Sequence, residues 1–228
     1  MKQMALDIGV SVGPSLANFY PGNNGAALDH LALWMAGSTR SPVPTYLWGE
    51  HGCGKTHLLT AVAEQIRSQG ALVGWMDANS DQPPAFKPDW QVLVFDDVQR
   101  FSAVQQHAAF NWFIHAATPG ASRQPWILAA GSVPPQDLQL REDLRTRLGW
   151  GHVFHLELLD DAQRREVLVR HAQAFGMTLS KELLDYLLSR FSRDLGHLLD
   201  LLRRLDTYAL QTQRPLTIPL LRAMLDEL

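Results

Sequence analysis

Eight consecutive residues have the types and spacing of a phosphate-binding loop. Gly49 to Thr56 match the pattern G-x-x-x-x-G-K-[ST]. Glycines such as Gly52 and Gly54 let backbone N–H groups point at phosphate oxygens, and the start of a following helix adds its dipole. Lys55 is the residue type that reaches the β- and γ-phosphates, and the Thr56 hydroxyl is a ligand suited to Mg²⁺. The loop predicts a site for a nucleoside di- or triphosphate with Mg²⁺.

Two carboxylates end an apolar run about forty residues further on. The run covers 91–95 and is followed by Asp96 and Asp97. Asp96 fits the aspartate that holds the Mg²⁺ shell in phosphate-loop proteins, and Asp97 stands where a carboxylate can polarise an attacking water. The alternative for Asp97 is that it caps the turn that follows it.

The elements that must position these residues alternate between strand and helix. Short apolar runs predict strands, and runs with helical spacing predict helices. We predict strands at 45–48, 71–76, 91–95 and 126–130, and helices at 28–36, 55–68 and 103–117. This alternation predicts an α/β fold with a parallel sheet wrapped by helices.

The pattern changes in the last third of the chain. A short helix is predicted at 140–148 and a strand at 152–156. The pattern of the residues that follow predicts only helices. Asp160 or Asp161, Ser180 and Thr217 are suitable N-caps for three of these helices. We therefore predict an N-terminal arm over 1–24 that stays outside the core, an α/β nucleotide-binding domain over 25–158, and an all-helical lid domain over 159–228.

Composition narrows the class of protein. Hydrophobic residues make up 46% of the 228 residues, which is enough for a substantial core, and the net charge of -3 gives no general attraction to nucleic acid. A single cysteine and the lack of a long apolar run favour the cytoplasm and no membrane contact. Four tryptophans are expected in the core: Trp48, Trp75, Trp112 and Trp126.

Four stretches together resemble the AAA+ proteins of the bacterial DnaA family. They cover the phosphate loop, the strand that ends in the two aspartates, a later strand followed by Pro-Pro, and an arginine-containing helix: Gly49–Leu59, Val92–Phe101, Ile127–Leu138 and Leu144–Gly151. The resemblance extends over nearly the whole chain, from about Phe19 onward. It implies a nucleotide-binding core with a helical lid.

The resemblance implies an arginine finger at Arg147, presented to the nucleotide of a neighbouring subunit. A planar guanidinium suits the charge that develops on a γ-phosphate. Arg145 could share this role, and Trp150 is expected to anchor the segment. Without the motif, a surface salt bridge would be the better interpretation of Arg147.

The resemblance also implies further contacts with ADP or ATP. Cys53 lies within the loop as a small residue, and His57 directly follows it, although a structural role is favoured for this histidine. Arg193 matches the arginine that reaches from the lid to the nucleotide, unless Asp194 ties it to the lid. At the sensor position on the fourth strand the family usually has an acid or amide, and this chain has Ser132. We therefore expect an activator of ATP hydrolysis rather than an efficient ATPase on its own.

The expected partners are DnaA and the DNA polymerase III sliding clamp. We expect no counterpart of the DNA-reading helix-turn-helix domain of DnaA. The chain then resembles shortened family members that stimulate hydrolysis of DnaA-bound ATP and prevent re-initiation of replication. Such members act with the DNA-loaded clamp. Gln3, Leu6 and Ile8 are similar to a clamp-binding peptide. No direct sequence-specific DNA binding is expected, and self-association stays open.

Three other functions remain open at this point. A stand-alone phosphate-loop ATPase or small-molecule kinase would turn over nucleotide without a partner. A helicase loader of the DnaC type would bind the replicative helicase rather than the clamp. An adaptor that pairs DnaA with other proteins would not need Arg147.

Overall fold

The computed structural model describes residues 13–37, 43–80, 82–118, 124–191 and 194–227. Its contacts divide the described chain into two units, with the division between Leu158 and Leu159. The first unit contains five strands and four α-helices: α1 Gly25–Ala36, β1 Pro44–Trp48, α2 Lys55–Ser68, β2 Leu72–Met76, β3 Trp90–Phe95, α3 Ala103–Ala116, β4 Trp126–Gly131, α4 Glu142–Gly149 and β5 His152–His155. The strands and helices predicted from the sequence are confirmed, with bounds shifted by a few residues at most.

The five strands form one parallel sheet in the order β2-β3-β4-β1-β5. The predicted α/β class with a parallel sheet is therefore confirmed. Because all carboxyl ends of parallel strands meet at one edge, the loops after β1, β3 and β4 lie together there. These are the loops that carry the phosphate-loop pattern, the two aspartates and Ser132.

Strand side chains alternate between two cores, one on each face of the sheet. Leu47, Val92 and Val94 pack with α1 and α2 on one face. Leu93 and Phe95 point to the other face and pack with α3 and α4. The expected burial of two tryptophans is confirmed, since Trp112 and Trp126 are 1% and 2% exposed. Two further tryptophans, Trp48 and Trp75, are only half-buried at the margins of these cores.

Residues 13–24, the described part of the segment before α1, differ from the expected arm outside the core. Leu16 and Phe19 pack against the first core, and Asn24 is buried. The Asn24 side chain donates to the Glu157 carbonyl over 3.0 Å and accepts from the Glu157 N–H over 2.8 Å. The physical reason for the difference is this paired amide contact, which ties the segment to the chain that follows β5.

The described residues of the second unit contain helices and no strands. Its helices are α5 Asp161–Ala174, α6 Lys181–Arg190, α7 Leu195–Thr212 and α8 Ile218–Asp226. Side chains of Asp160, Ser180, Asp194 and Thr217 accept hydrogen bonds from the first turns of these helices. The predicted caps of α5, α6 and α8 are confirmed, Asp160 being the residue that caps α5. A leucine-rich cluster forms the core of this unit.

Across the described ranges, no helix is both long and apolar enough to cross a lipid bilayer.

Candidate functional site

The loop between β1 and α2 needs glycine at the points where other groups approach its backbone. A Cβ on Gly49 would lie 2.2 Å from the Leu156 carbonyl oxygen. Gly54 has φ of +96°, and a Cβ there would lie 2.6 Å from the Phe19 ring. A side chain at either position would displace its neighbour. The tight turn that leads into the first turn of α2 therefore requires glycine at both positions.

Lys55 points its amine back into this loop. Its Nζ donates to the carbonyl oxygens of Gly49 over 2.7 Å and Glu50 over 2.8 Å, and lies 3.6 Å from Cys53 Sγ. Both Lys55 and Cys53 are buried. The carbonyl dipoles compensate the buried positive charge, and the amine is held where the sequence pattern predicts bound phosphates.

Thr56 and Asp96 meet at the base of the loop. The Thr56 hydroxyl donates to Asp96 Oδ2 over 2.8 Å, and Asp96 Oδ1 accepts from the Asp97 N–H over 2.9 Å. Burial raises the pKa of the Asp96 carboxyl, while the hydrogen bond from Thr56 opposes that rise. Two hard oxygen ligands therefore lie side by side, which is the usual protein contribution to a Mg²⁺ site that is completed by phosphates and waters. The described residues contain no group of three His, Cys, Asp or Glu side chains that could hold a metal alone.

Asp97 has a backbone conformation that is uncommon outside glycine, with φ of 53°. Its side chain makes no capping hydrogen bond to the turn Val98–Arg100. Instead Asp97 Oδ1 accepts from Gln99 Nε2 over 3.2 Å, and Oδ2 lies 3.6 Å from an Arg100 nitrogen. The carboxylate is 41% exposed at the edge of the site, so water has access to it.

Gln99 connects Asp97, which follows β3, to Ser132, which follows β4. The sequence did not indicate this role. Besides donating to Asp97, its Oε1 accepts from the Ser132 N–H over 3.0 Å. Ser132 follows Gly131, where a Cβ would lie 2.1 Å from the Tyr46 hydroxyl. The only signal in the sequence is the position of Gln99 two residues after the aspartates, which by itself indicates nothing about Ser132.

His57 lies behind the loop and contacts the segment before α1. Its Nε2 lies 3.1 Å from the Ser15 carbonyl oxygen, and its ring centroid lies 5.6 Å from that of Phe19. Burial lowers the pKa of the His57 imidazole, and the contact with Ser15 opposes this shift. These contacts describe a histidine that holds the segment against the loop.

Arg147 lies on a separate open groove between α3 and α4. The groove is lined by Phe110, Arg141, Glu142, Asp143, Thr146, Arg147 and Trp150. The Arg147 guanidinium carbon lies 5.2 Å from the centroid of the Phe110 ring, a distance typical of a cation–π contact. Within the described chain, no carboxylate forms an ion pair with this guanidinium. Arg145 lines a second groove with Thr146, Gly149 and Val153.

Trp150 does not anchor this segment, so that expectation is wrong. The side chain is 65% exposed, whereas Leu144 and Leu148 are each 1% exposed in the second core. The physical reason is that Trp150 follows the end of a short helix whose buried face is already filled by the two leucines.

Four of the expected site residues lie outside the described residues. These are Arg193 in the lid and the three residues of the candidate clamp peptide, Gln3, Leu6 and Ile8. Asp194, next to the lid arginine, caps α7 by accepting from the N–H groups of Gly196 and His197.

Comparisons with known proteins agree with this geometry. Residues 15–155 match the family model of the bacterial DnaA ATPase domain, and residues 161–225 match that of the Hda lid domain. An uncharacterized protein of Haemophilus influenzae is 31% identical over 233 residues, which cover 99% of both chains.

Several solved structures share the fold. Domain III of the replication initiation protein DnaA from Thermotoga maritima has a TM-score of 0.73 at 20% identity, with 93% of this chain and 95% of that chain covered. The AMPPCP-bound DnaA from Aquifex aeolicus has a TM-score of 0.67 at 23% identity, with 87% and 66% covered. The RuvB Holliday junction branch migration motor of Thermotoga maritima has a TM-score of 0.62 at 15% identity, with 94% and 72% covered.

The matches confirm the resemblance inferred from the four sequence stretches. The α/β unit and the helical unit each match the corresponding part of that family. The chain therefore belongs to the family of the bacterial DnaA ATPase domain, as an Hda-like member with an Hda-type lid.

Proposed function

We propose that this chain is a regulator of replication initiation that stimulates hydrolysis of the ATP held by DnaA. In this function it binds its own adenine nucleotide with Mg²⁺ and engages the DNA sliding clamp. It then presents Arg147 to the ATP of DnaA. The result is that DnaA is converted to its ADP form and re-initiation of replication is inhibited.

The proposed nucleotide site uses the loop and the two aspartates. Lys55 would contact the phosphates, and Thr56 with Asp96 would hold Mg²⁺, because their oxygens lie 2.8 Å apart at the base of the loop. Bound Mg²⁺ neutralises phosphate charge. A solved DnaA with the same fold is described as bound to AMPPCP, which supports an adenine nucleotide as the ligand. Identification of the nucleotide in the purified protein would show whether ADP or ATP is bound at rest.

One observation carries the proposal that Arg147 acts on a partner. The guanidinium lies on an open groove, rests against Phe110, and is not paired with a carboxylate within the described chain. An arginine with a compensated charge would have to break an ion pair before it could reach another nucleotide. Arg147 has no ion pair to break among the described residues. Its planar guanidinium can donate two hydrogen bonds at once to a phosphoryl group.

The decisive test measures hydrolysis by ATP-loaded DnaA in the presence of DNA-loaded clamp and this chain. We expect Arg147→Ala to reduce the stimulated rate by about 10³- to 10⁵-fold, the range known for arginine fingers. Arg147→Lys keeps the charge and loses the planar fork, so its rate should stay close to that of the alanine variant. Arg204→Ala is the control, because Arg204 is an exposed arginine paired with Asp200 in the helical unit. Full stimulation by the Arg147→Ala variant would contradict the proposal.

The clamp contact is proposed from the motif at Gln3, Leu6 and Ile8. An extended peptide of this form places two apolar side chains in a groove while the amide sets the register. We expect that deletion of residues 1–8 abolishes retention of the chain on immobilised clamp. The replacement of Gln3 alone by Ala should weaken it. Equal retention of the full and shortened chains would remove the clamp from the proposal.

Two other functions are separated by the same assays. A stand-alone ATPase would hydrolyse ATP without DnaA, and its turnover would not depend on Arg147. A helicase loader of the DnaC type would bind the replicative helicase and ignore the clamp. Ser132, which stands in place of an acid or amide at the sensor position, favours weak turnover by the chain alone.

A further inference from the structure

The junction of α3 and α4 carries a second arginine on the groove of Arg147. We infer that Arg141 is a positioning residue: it fixes the start of α4 on α3 and thereby holds the Arg147 guanidinium against Phe110 for contact with the partner's nucleotide. The inference rests on the proposed function of Arg147 and names the residue that fixes the position of the Arg147 side chain.

Arg141 is attached to α3 through several groups at once. Its backbone N–H donates to Gln106 Oε1 over 3.0 Å, and its Nη1 lies 3.3 Å from His107 Nδ1. Its guanidinium carbon lies 5.4 Å from the centroid of the Phe110 ring. Gln106, His107 and Phe110 lie within five consecutive residues of α3, so one short stretch of that helix receives all three contacts.

The same guanidinium is also tied to the first turn of α4. Arg141 Nη2 donates to Asp143 Oδ2 over 2.6 Å, and Asp143 Oδ1 accepts from the Leu144 N–H over 2.7 Å. Arg141 stands at the N-cap position of α4 without a side-chain capping bond. The Asp143 carboxylate therefore connects Arg141 to the backbone at the start of the helix.

The two arginines of the groove have different roles because their charges are compensated differently. Arg141 is committed to Asp143 and His107, whereas no carboxylate in the described chain pairs with Arg147. Both guanidinium groups lie near the same Phe110 ring, at 5.4 and 5.2 Å from its centroid. The Arg141 guanidinium is therefore held in place by contacts within the chain, whereas the Arg147 guanidinium next to it is available to a partner.

The length of α4 makes this attachment important. The helix has only eight residues, and a helix this short is not stable by itself. Its buried leucines fix the side of the helix that faces the core, while the contacts of Arg141 fix its first turn. A displacement of about 1 Å at a reacting group is enough to reduce rates by up to about 100-fold.

The test compares Arg141→Ala and Arg141→Lys with the control Arg204→Ala in the full chain. We expect Arg141→Ala to lower the stimulated hydrolysis rate at saturating chain by about 10- to 100-fold. The half-saturating concentration should change much less than the rate, because Arg141 is already paired with Asp143 and the other residues that line the groove remain. Arg141→Lys cannot contact Asp143 and His107 together, so it should restore only part of the rate. A purely structural role would instead lower stability and affinity together.

Hydrogen exchange supplies a measurement that does not depend on DnaA. In Arg141→Ala, the amides of α4 should exchange faster than in the wild type, while those of α2 should not change. Arg204→Ala should leave both helices unchanged. Unchanged exchange in α4 together with an unchanged hydrolysis rate would overturn the inference.

The two proposals fail in different ways. Loss of stimulation in Arg147→Ala with a wild-type rate and wild-type exchange in Arg141→Ala would overturn only the role of Arg141. Full stimulation by Arg147→Ala would overturn the proposed function, and the exchange of α4 then decides alone whether Arg141 fixes this helix.

Discussion

The Thr56 hydroxyl donates to Asp96 Oδ2 over 2.8 Å, so the first turn of α2 and the end of β3 are joined by one short hydrogen bond. We expect Thr56→Val to weaken Mg²⁺-dependent nucleotide binding by at least about 10- to 100-fold, the range for replacing a residue that only supports a metal ligand. Calorimetric titration with ATP in the presence and absence of Mg²⁺ measures the effect. Thr60→Val, one turn later on α2, is the matched control. Equal Mg²⁺-dependent affinities of the two variants would contradict the assignment of Thr56.

The buried Asp96 carboxylate predicts a pH dependence of stability. Burial raises its pKa in the folded chain above the ordinary value of 3.8, so the unfolded chain loses the proton first as the pH rises. Ionisation of Asp96 therefore lowers the free energy of unfolding as the pH rises above 3.8. We expect Asp96→Asn to be more stable than the wild type at pH 7 without nucleotide.

Chemical denaturation across pH 3 to 7 measures this difference. The advantage of Asp96→Asn should shrink as the pH falls towards 3.8, where the wild-type carboxyl becomes protonated in both states. A constant difference at every pH would show that the substitution acts through packing rather than through charge.

Gly54 and Gly70 separate backbone strain from steric overlap. Both have positive φ, at +96° and +79°, but only Gly54 has a side chain, that of Phe19, within 4 Å of an added Cβ. We expect Gly70→Ala to lower the free energy of unfolding by about 1–2 kcal/mol. Gly54→Ala should cost about 1–3 kcal/mol more, since the Phe19 ring must move. Equal losses in denaturant unfolding would show that the ring adapts without cost.

The end of α4 predicts opposite effects for two apolar residues. Trp150 is 65% exposed, and Leu148 is 1% exposed. Trp150→Ala should change the free energy of unfolding by no more than about 0.5 kcal/mol, as for most surface positions. Leu148→Ala should lower it by about 2–5 kcal/mol, because it leaves a cavity in the second core. Thermal unfolding of the two variants gives the comparison, and a large loss in Trp150→Ala would restore this tryptophan as an anchor.

The elements of the fold could be predicted because local signals agreed with one another. The bounds of α2 follow from the phosphate-loop pattern before it and Gly70 after it, and both match the structure. The helices of the lid begin at residues whose side chains can cap them, and Ser180 and Thr217 do so. Such signals act over a few residues, so a single sequence contains them.

The contacts that complete the site could not be predicted in this way. Asn24 pairs with Glu157 across 133 residues, and Gln99 reaches Ser132 across 33. Neither pair has a spacing that marks it in the sequence, because the sheet order brings the partners together. The exposure of Trp150 was not predicted for a related reason. The sequence of a short helix and of the residue that follows it does not show which apolar side chains the core can accommodate.

The segment before α1 limits how the N-terminus can be shortened. The Ser15 carbonyl contacts His57, and Phe19 covers Gly54, so these residues form one wall of the loop that they precede in the chain. A truncation that removes them would strip this wall and produce a nucleotide-binding defect that resembles the loss of a partner. Deletions intended to test clamp binding should therefore stop well before Ser15, and a tag placed ahead of that residue is better attached through a spacer.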